Sequence, residues 1–203
     1  GKEYIVKTIV TTETIKTIAE RNGVEMYDVY TGFKWIANVM RENEGKKNYI
    51  GGGEESYGFL CEDFVRDKDA VSACVILAEI AAWAKDQGLS LYQLLQKIYV
   101  EYGFSKEKGI SVVKKGKSGA EEIEAMMKKF RENPLTEIAG SKVTYFYDYS
   151  TLKGKDYAEN ETVTLDMPTT SNVLQYFTED NTKVSIRPSG TEPKIKFYCE
   201  VHS

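Results

Sequence analysis

Histidine is almost missing from this sequence. His202, the penultimate residue, is the single one in 203. Serine–histidine and cysteine–histidine catalysis need an imidazole beside the nucleophile, so both are all but excluded within this chain. His202 reads as a solvated terminal residue. Cysteine is scarce as well: Cys61, Cys74 and Cys199 form no Cys-x-x-Cys pair and are odd in number. That pattern speaks against a zinc site or disulfide framework and for plain thiols in a reducing cytosol. There is no excess of positive charge, since 27 basic against 31 acidic residues leave a net −4. Nucleic acid is therefore not an expected partner. Nor is there a long hydrophobic run. The most apolar stretch, "AVSACVILAEIAAWA" (70–84), contains Glu79, is bounded by charges and is too short for a comfortable membrane span. With no signal peptide ahead of it, the expectation is a cytoplasmic protein with no membrane partner.

What is present is ordinary for a folded chain: 41% hydrophobic and 29% charged residues, in a length that suits one or two domains with a real core. The sequence opens on Gly1 rather than Met and closes on Ser203 directly after a strand-like run. We read this as a piece of a longer protein.

Along the chain, "YIVKTIV" (4–10) is β-rich, and "TTETIKTIAERNG" (11–23) predicts a helix with a Thr cap, Ile15 and Ile18 on one face, and a closing glycine. "VEMYDVY" (24–30) alternates as a strand, "GFKWIANVMREN" (32–43) predicts a helix, and "KNYIGGG" (47–53) is a strand running into glycines. This β-α-β-α-β rhythm implies an α/β layer with a largely parallel sheet. The stretch 69–87 is apolar nearly all round and predicts a buried helix. A Ser-x-x-Gln capping box then opens "SLYQLLQKIYVEYG" (90–103), with Leu91, Leu94, Leu95, Ile98 and Tyr102 on one stripe. "FSKEKGISVVKKGKSG" (104–119), charged and glycine-rich with one short β-like run, reads as a connection. A second capping box, Ser118-x-x-Glu121, opens a helix that Pro134 ends. Five β-like segments follow, with "EDN" (179–181) as a hairpin turn. The expected division is an α/β domain over 1–106 and a small α+β domain over 107–203.

Four places carry candidate chemistry. In "SIRPSGTEPKIKFY" (185–198), Arg187 can clamp a phosphate bidentately. Ser189 and Thr191 offer hydroxyls, and Gly190 lets a ligand approach the backbone. Lys194 and Lys196 add charge. A hairpin turn whose Pro and Gly serve geometry alone fits the residue types equally well. "GGGEESYGFL" (51–60) lies at a strand's carboxyl end, where α/β sheets bind ligands. There Glu54, Glu55 and Ser56 suit the reading of sugar hydroxyls, or merely flank a helix. "RDKDA" (66–70) reads by default as a solvated helix cap, with Lys68 as a charge donor or proton relay in the functional alternative. "YTGFKW" (30–35) places Thr31 and Gly32 at a helix start, as a turn or as a hydroxyl or anion site.

"TGFKW", "GGGEESYG", "RDKDA" and "RPSGTEPKIKFY", in this order, resemble the carboxy-terminal half of the α-D-phosphohexomutases. They are most similar to the long bacterial phosphoglucomutase branch related to phosphopentomutases. The resemblance covers essentially the whole chain. It implies a four-domain isomerase that interconverts sugar 1-phosphates and 6-phosphates through a phosphoserine and a sugar-bisphosphate intermediate. This chain would hold the third, α/β domain and a fourth domain resembling the TATA-binding-protein fold. By the same resemblance Thr31, Gly32, Glu54, Ser56 and Lys68 bind the sugar, while Arg187, Ser189, Gly190, Thr191 and Lys196 hold the non-reacting phosphate. The phosphoserine loop and the aspartate run that binds Mg²⁺ are absent from this sequence and belong, in the family, to the amino-terminal domains. Those domains and a phosphosugar are the implied partners, glucose 1,6-bisphosphate the implied intermediate, and the chain alone is expected to be inert. The alternatives are a phosphopentomutase or a stand-alone phospho-ligand-binding or regulatory module.

Overall fold

A computed structural model describes residues 2–114, 116–190 and 192–202. The chain divides into two compact units, Gly1–Phe104 and Ser105–Ser203.

In the first unit the expected alternation appears: β1 (Glu3–Thr8), α1 (Thr14–Arg21), β2 (Glu25–Val29), α2 (Phe33–Asn43) and β3 (Asn48–Gly53). A two-residue strand β4 (Phe59–Leu60), unmarked in the sequence, then returns antiparallel to β3. The sheet order is β2-β1-β3-β4, with β1 parallel to both neighbours. Period-two alternation sends Tyr4 and Val6 to one face of β1, where they meet Phe33, Ile36 and Met40 of α2 in a buried core. Tyr4 packs edge-on against Tyr27 and Tyr49, with both ring-centroid distances 5.6 Å.

Gly52 is required by that packing. A Cβ there would stand 2.3 Å from the Val6 carbonyl oxygen and 2.7 Å from the Tyr49 hydroxyl. Gly52→Ala is expected to destabilise the unit by about 1–3 kcal/mol, the cost of overpacking a filled site. The urea midpoint against the parent chain measures it, and an unchanged midpoint refutes the close approach.

Helix α3 (Ala70–Asp86) is capped by Asp69, whose carboxylate accepts from the Val71 and Ser72 amides at 3.1 Å each. Helix α4 (Leu91–Tyr102) shows the expected capping box: Gln93 N donates to Ser90 Oγ at 3.2 Å, and Ser90 N donates back to Gln93 Oε1 at 2.8 Å. One expectation fails here. Helix α3 is not buried; Ala84 is its one buried residue. Its apolar surface exceeds what β4 and α4, the elements packed against it, can cover.

The second unit begins with a further correction. The stretch read as a connection holds a nine-residue strand, β5 (Ser105–Val113), paired antiparallel along its whole length with the last strand. Its Lys106, Glu107 and Lys108 look like linker composition because β5 is a sheet edge, where charge prevents further pairing. Helix α5 (Gly116–Glu132) starts earlier than the Ser118 box predicts, which leaves Ser118 and Glu121 inside the helix. Then come β6 (Glu137–Ile138), β7 (Ser141–Asp148), β8 (Lys153–Asp156), β9 (Glu161–Thr164), β10 (Leu174–Thr178), β11 (Lys183–Pro188) and β12 (Lys194–His202). The order is β5-β12-β11-β10-β7-β8-β9, with β6 paired to β7. Ile123 and Met127 of α5 pack on Val143, Leu174, Tyr176, Ile186 and Ile195, so one helix covers one face of an antiparallel sheet. This is the expected α+β unit.

Candidate functional site

The first candidate site forms at the carboxyl ends of the parallel strands. Strand β3 runs out through its glycines into Glu54, and the Glu54 amide donates to the Gly58 carbonyl at 2.7 Å, closing the "EESYG" loop. The Glu54 side chain turns toward the start of α2 and accepts from the Gly32 amide at 2.6 Å. Gly32 is the N-cap of α2 with φ of 111°, a conformation that suits glycine. Lys68 reaches the same place. A Cβ built on Gly58 would lie 3.0 Å from Glu54 Oε2 and 3.2 Å from Lys68 Cδ. The Lys68 ammonium sits 5.7 Å from the Phe33 ring centroid and 3.1 Å from Asp67. Hydrogen bonds from the Lys68 side chain and amide hold the Asp67 carboxyl below its usual range. Three motifs distant in sequence thus meet: Gly32, Glu54 and Lys68. Thr31 is half-buried next to Gly32, and Ser56 stands exposed on the loop.

Under this loop lies a layer that sequence reasoning missed. Thr8, buried at the end of β1, donates to Glu55 Oε2 at 3.1 Å and shares a 2.8 Å hydrogen bond with buried Thr11. Both adjacent glutamates are therefore anchored, Glu54 to a helix amide and Glu55 to the strand end. Beside Thr8, the buried Lys7 ammonium pairs with Asp28 at 2.7 Å and with Glu13 at 3.1 Å. Burial alone would lower the pKa of Lys7, but the charges of Asp28 and Glu13 outweigh it and hold the ammonium above its ordinary range. Glu13 is the N-cap of α1, yet its side chain makes no cap and serves Lys7 instead. One signal was readable: a lysine inside the apolar "YIVKTIV", with an aspartate in the neighbouring strand of the predicted parallel pair. Register makes Lys7 and Asp28 direct partners.

The second candidate site is the turn from β11 to β12. The Ser189 amide donates to the Lys194 carbonyl at 2.7 Å, which pinches the turn. Register pairs Arg187 with Lys196, and Ile186 and Ile195 are buried in the core under α5. Alternation therefore places Arg187 and Lys196 together on the opposite face. Ser189 and Gly190 border a cavity of about 650 Å³ on the α5 side, which Lys117 and Asn172 also line. The pair and the loop thus meet at the sheet end from two faces. Lys194 is spent locally, paired with Glu192 at 2.7 Å, and that hydrogen bond keeps the Glu192 carboxyl low. Thr191 lies outside the described residues. Among the described residues, no three His, Cys, Asp or Glu side chains are grouped to hold a metal ion. No helix among the described residues is long and apolar enough to cross a membrane.

Comparison with known proteins gives a consistent result. A family model described as phosphoglucomutase/phosphomannomutase, alpha/beta/alpha domain III, matches residues 1–102, and one for the phosphoglucomutase/phosphomannomutase C-terminal domain matches 110–203. A phosphoglucomutase of Staphylococcus haemolyticus (strain JCSC1435) is 36% identical over 198 residues, covering 98% of this chain and 36% of that protein. One from Staphylococcus aureus (strain MRSA252) is 40% identical over 197 residues, covering 97% and 35%. The chain thus spans about a third of the length of the relatives it matches. The open form of Paramecium pp63/parafusin superposes with a TM-score of 0.65 over 98% of this chain and 33% of its own length, at 18% identity, which supports the fold.

Proposed function

This chain belongs to the phosphoglucomutase/phosphomannomutase family, and from that premise we propose that it is the sugar- and phosphate-gripping part of a cytoplasmic mutase. The observation that carries the reading is the convergence of Gly32, Glu54 and Lys68 at the carboxyl ends of the strands. A carboxylate fixed by a helix amide accepts hydrogen bonds from sugar hydroxyls without first having to order itself. Lys68, beside it, adds positive charge near the sugar phosphate and is a candidate proton relay.

In the proposed cycle a phosphoserine in the amino-terminal domains gives its phosphoryl group to the free hydroxyl of a sugar monophosphate, leaving a serine hydroxyl and a bisphosphate. The other phosphoryl group then returns to the serine, and the isomeric monophosphate leaves. For this to work, the sugar must be held in two opposite orientations. Glu54, with Thr31, Gly32 and Ser56, holds the ring. Arg187, Ser189, Gly190, Thr191 and Lys196 hold whichever phosphate is not reacting, which fixes the reacting end without joining the chemistry. Glucose phosphate is the first substrate to test, since the matched relatives are phosphoglucomutases. Mg²⁺ belongs, in this reading, to the amino-terminal domains.

Glu54→Gln in the complete polypeptide is expected to weaken glucose 1,6-bisphosphate binding by about 1.5–3 kcal/mol, the range for hydrogen bonds to a charged group. Inorganic phosphate binding should be spared. Titration calorimetry separates the two, and an equal loss for both ligands removes Glu54 from sugar reading. This chain by itself should show no mutase turnover; measurable turnover by the pure chain refutes its assignment as the non-transferring part.

A further inference from the structure

Tyr57, inside the loop that carries Glu54, combines two features that its own turn does not require. Its φ is 66°, in the left-handed region, where a bulky side chain is strained. Among the described residues it alone is an aromatic with positive φ. The residue is also bare, at 101% exposure, so no packing of its ring offsets that strain. The turn is closed by its backbone, from the Glu54 amide to the Gly58 carbonyl at 2.7 Å. Glycine or asparagine would serve a left-handed turn position with less strain. The loop is instead pinned from outside, by Glu54 on the Gly32 amide and by Glu55 on Thr8. Backbone strain that is over-determined by its surroundings clusters at ligand clamps.

Tyr57 and Glu54 line one cavity, of about 480 Å³, with Thr11, Gly53 and Phe59 along its wall. That volume lies in the range of small-ligand sites, which combine apolar and aromatic walls with a few placed polar groups. The Glu54 carboxylate suits the hydroxyl rim of a sugar, but it leaves the C–H faces of a pyranose in water. A flat, largely apolar ring standing free beside it matches the half that is missing. We propose that Tyr57 is a further substrate-contacting residue, a platform on which the C–H face of a hexose phosphate stacks while Glu54 reads its hydroxyls. This rests on the reading of the first site as the sugar site.

Glucose 1,6-bisphosphate and inorganic phosphate are titrated by calorimetry into the complete polypeptide and into its Tyr57→Gly and Tyr57→Phe variants. Glycine removes the ring and suits the backbone, whereas phenylalanine keeps the ring and removes the hydroxyl. Tyr57→Gly is expected to bind the bisphosphate about three- to tenfold more weakly, the scale of one aromatic contact. Its inorganic phosphate binding and urea midpoint should not fall. Tyr57→Phe should bind the bisphosphate as the parent does. Nitration of the Tyr57 ring by tetranitromethane, followed on its peptide by mass spectrometry, should slow when the bisphosphate is bound and stay fast with inorganic phosphate. Unchanged affinity in Tyr57→Gly overturns the platform, and so does nitration that the bisphosphate does not slow. An equal loss in Tyr57→Phe overturns it as well, since the hydroxyl then makes the contact. A lowered urea midpoint in Tyr57→Gly assigns the ring to the fold instead. A parent that binds no bisphosphate removes the sugar-site reading and the platform together, whereas a parent and a Tyr57→Gly variant that bind it equally remove the platform alone.

Discussion

Lys7→Met is expected to lower the unfolding free energy by about 2–4 kcal/mol. Removing one partner of a buried ion pair typically costs about 3–5 kcal/mol because the remaining charge is stranded. The lower figure is expected here because Asp28 and Glu13 keep 37% and 29% of their side-chain surface exposed and rehydrate in part. Guanidinium denaturation of parent and variant measures the difference. Its pH dependence has a definite sign. Lys7 titrates above its ordinary 10.5 in the folded chain. The native state therefore binds that proton more tightly than the unfolded state does. The contribution is complete below about pH 10 and is lost as pH rises through the raised folded value. The gap between parent and variant should stay flat through neutral pH and close only in the alkaline range. A gap that is flat at every pH shows that the Lys7 stem contributes by packing rather than by charge.

Arg187→Ala should weaken glucose 1,6-bisphosphate binding to the complete polypeptide by about 1–3 kcal/mol, roughly 5- to 150-fold in dissociation constant. A guanidinium fork can offer a dianion two parallel donors, a geometry an ammonium does not reproduce. Arg187→Lys is accordingly expected to restore only part of the loss, although it keeps the charge beside Lys196. Unchanged affinity in Arg187→Ala reduces the β11–β12 turn to a hairpin with no ligand. A loss that appears equally in thermal stability assigns Arg187 to the fold instead.

Much of this architecture was legible in local pattern. The strand–helix rhythm of residues 4–53, the Ser90 capping box and the hairpin at 179–181 are written over a few residues each, and the structure reproduces them. The rest depends on partners far away in sequence. Strand β5 looks like a linker because its pairing partner, β12, lies more than eighty residues on and supplies the hydrogen bonds that its charged side chains do not advertise. Lys7 looks like an ordinary strand lysine until Asp28 is set beside it by register. Helix α3 misleads in the other direction. Its apolar composition reads as a buried helix, yet Ala84 is its one buried residue. The candidate site was legible by motif, but the fixing of Glu54 by the Gly32 amide and of Glu55 by Thr8 needed coordinates.

The order of strands in the second unit also sets an order in time. Its first strand, β5, is paired along its full length with its last, β12, which in turn pairs with β11. The longest ladder of the sheet is thus also its least local contact, and such contacts form late because the chain between them must first be confined. On a ribosome, β5, α5 and β6–β11 emerge while the seat between β5 and β11 stands empty, with both of those edges open to any other strand. The turn that follows Arg187 and begins at Ser189 takes its shape only when β12 pairs with β11. The β11–β12 turn is therefore among the last features of this unit to form, and a chain stalled before residue 194 lacks it.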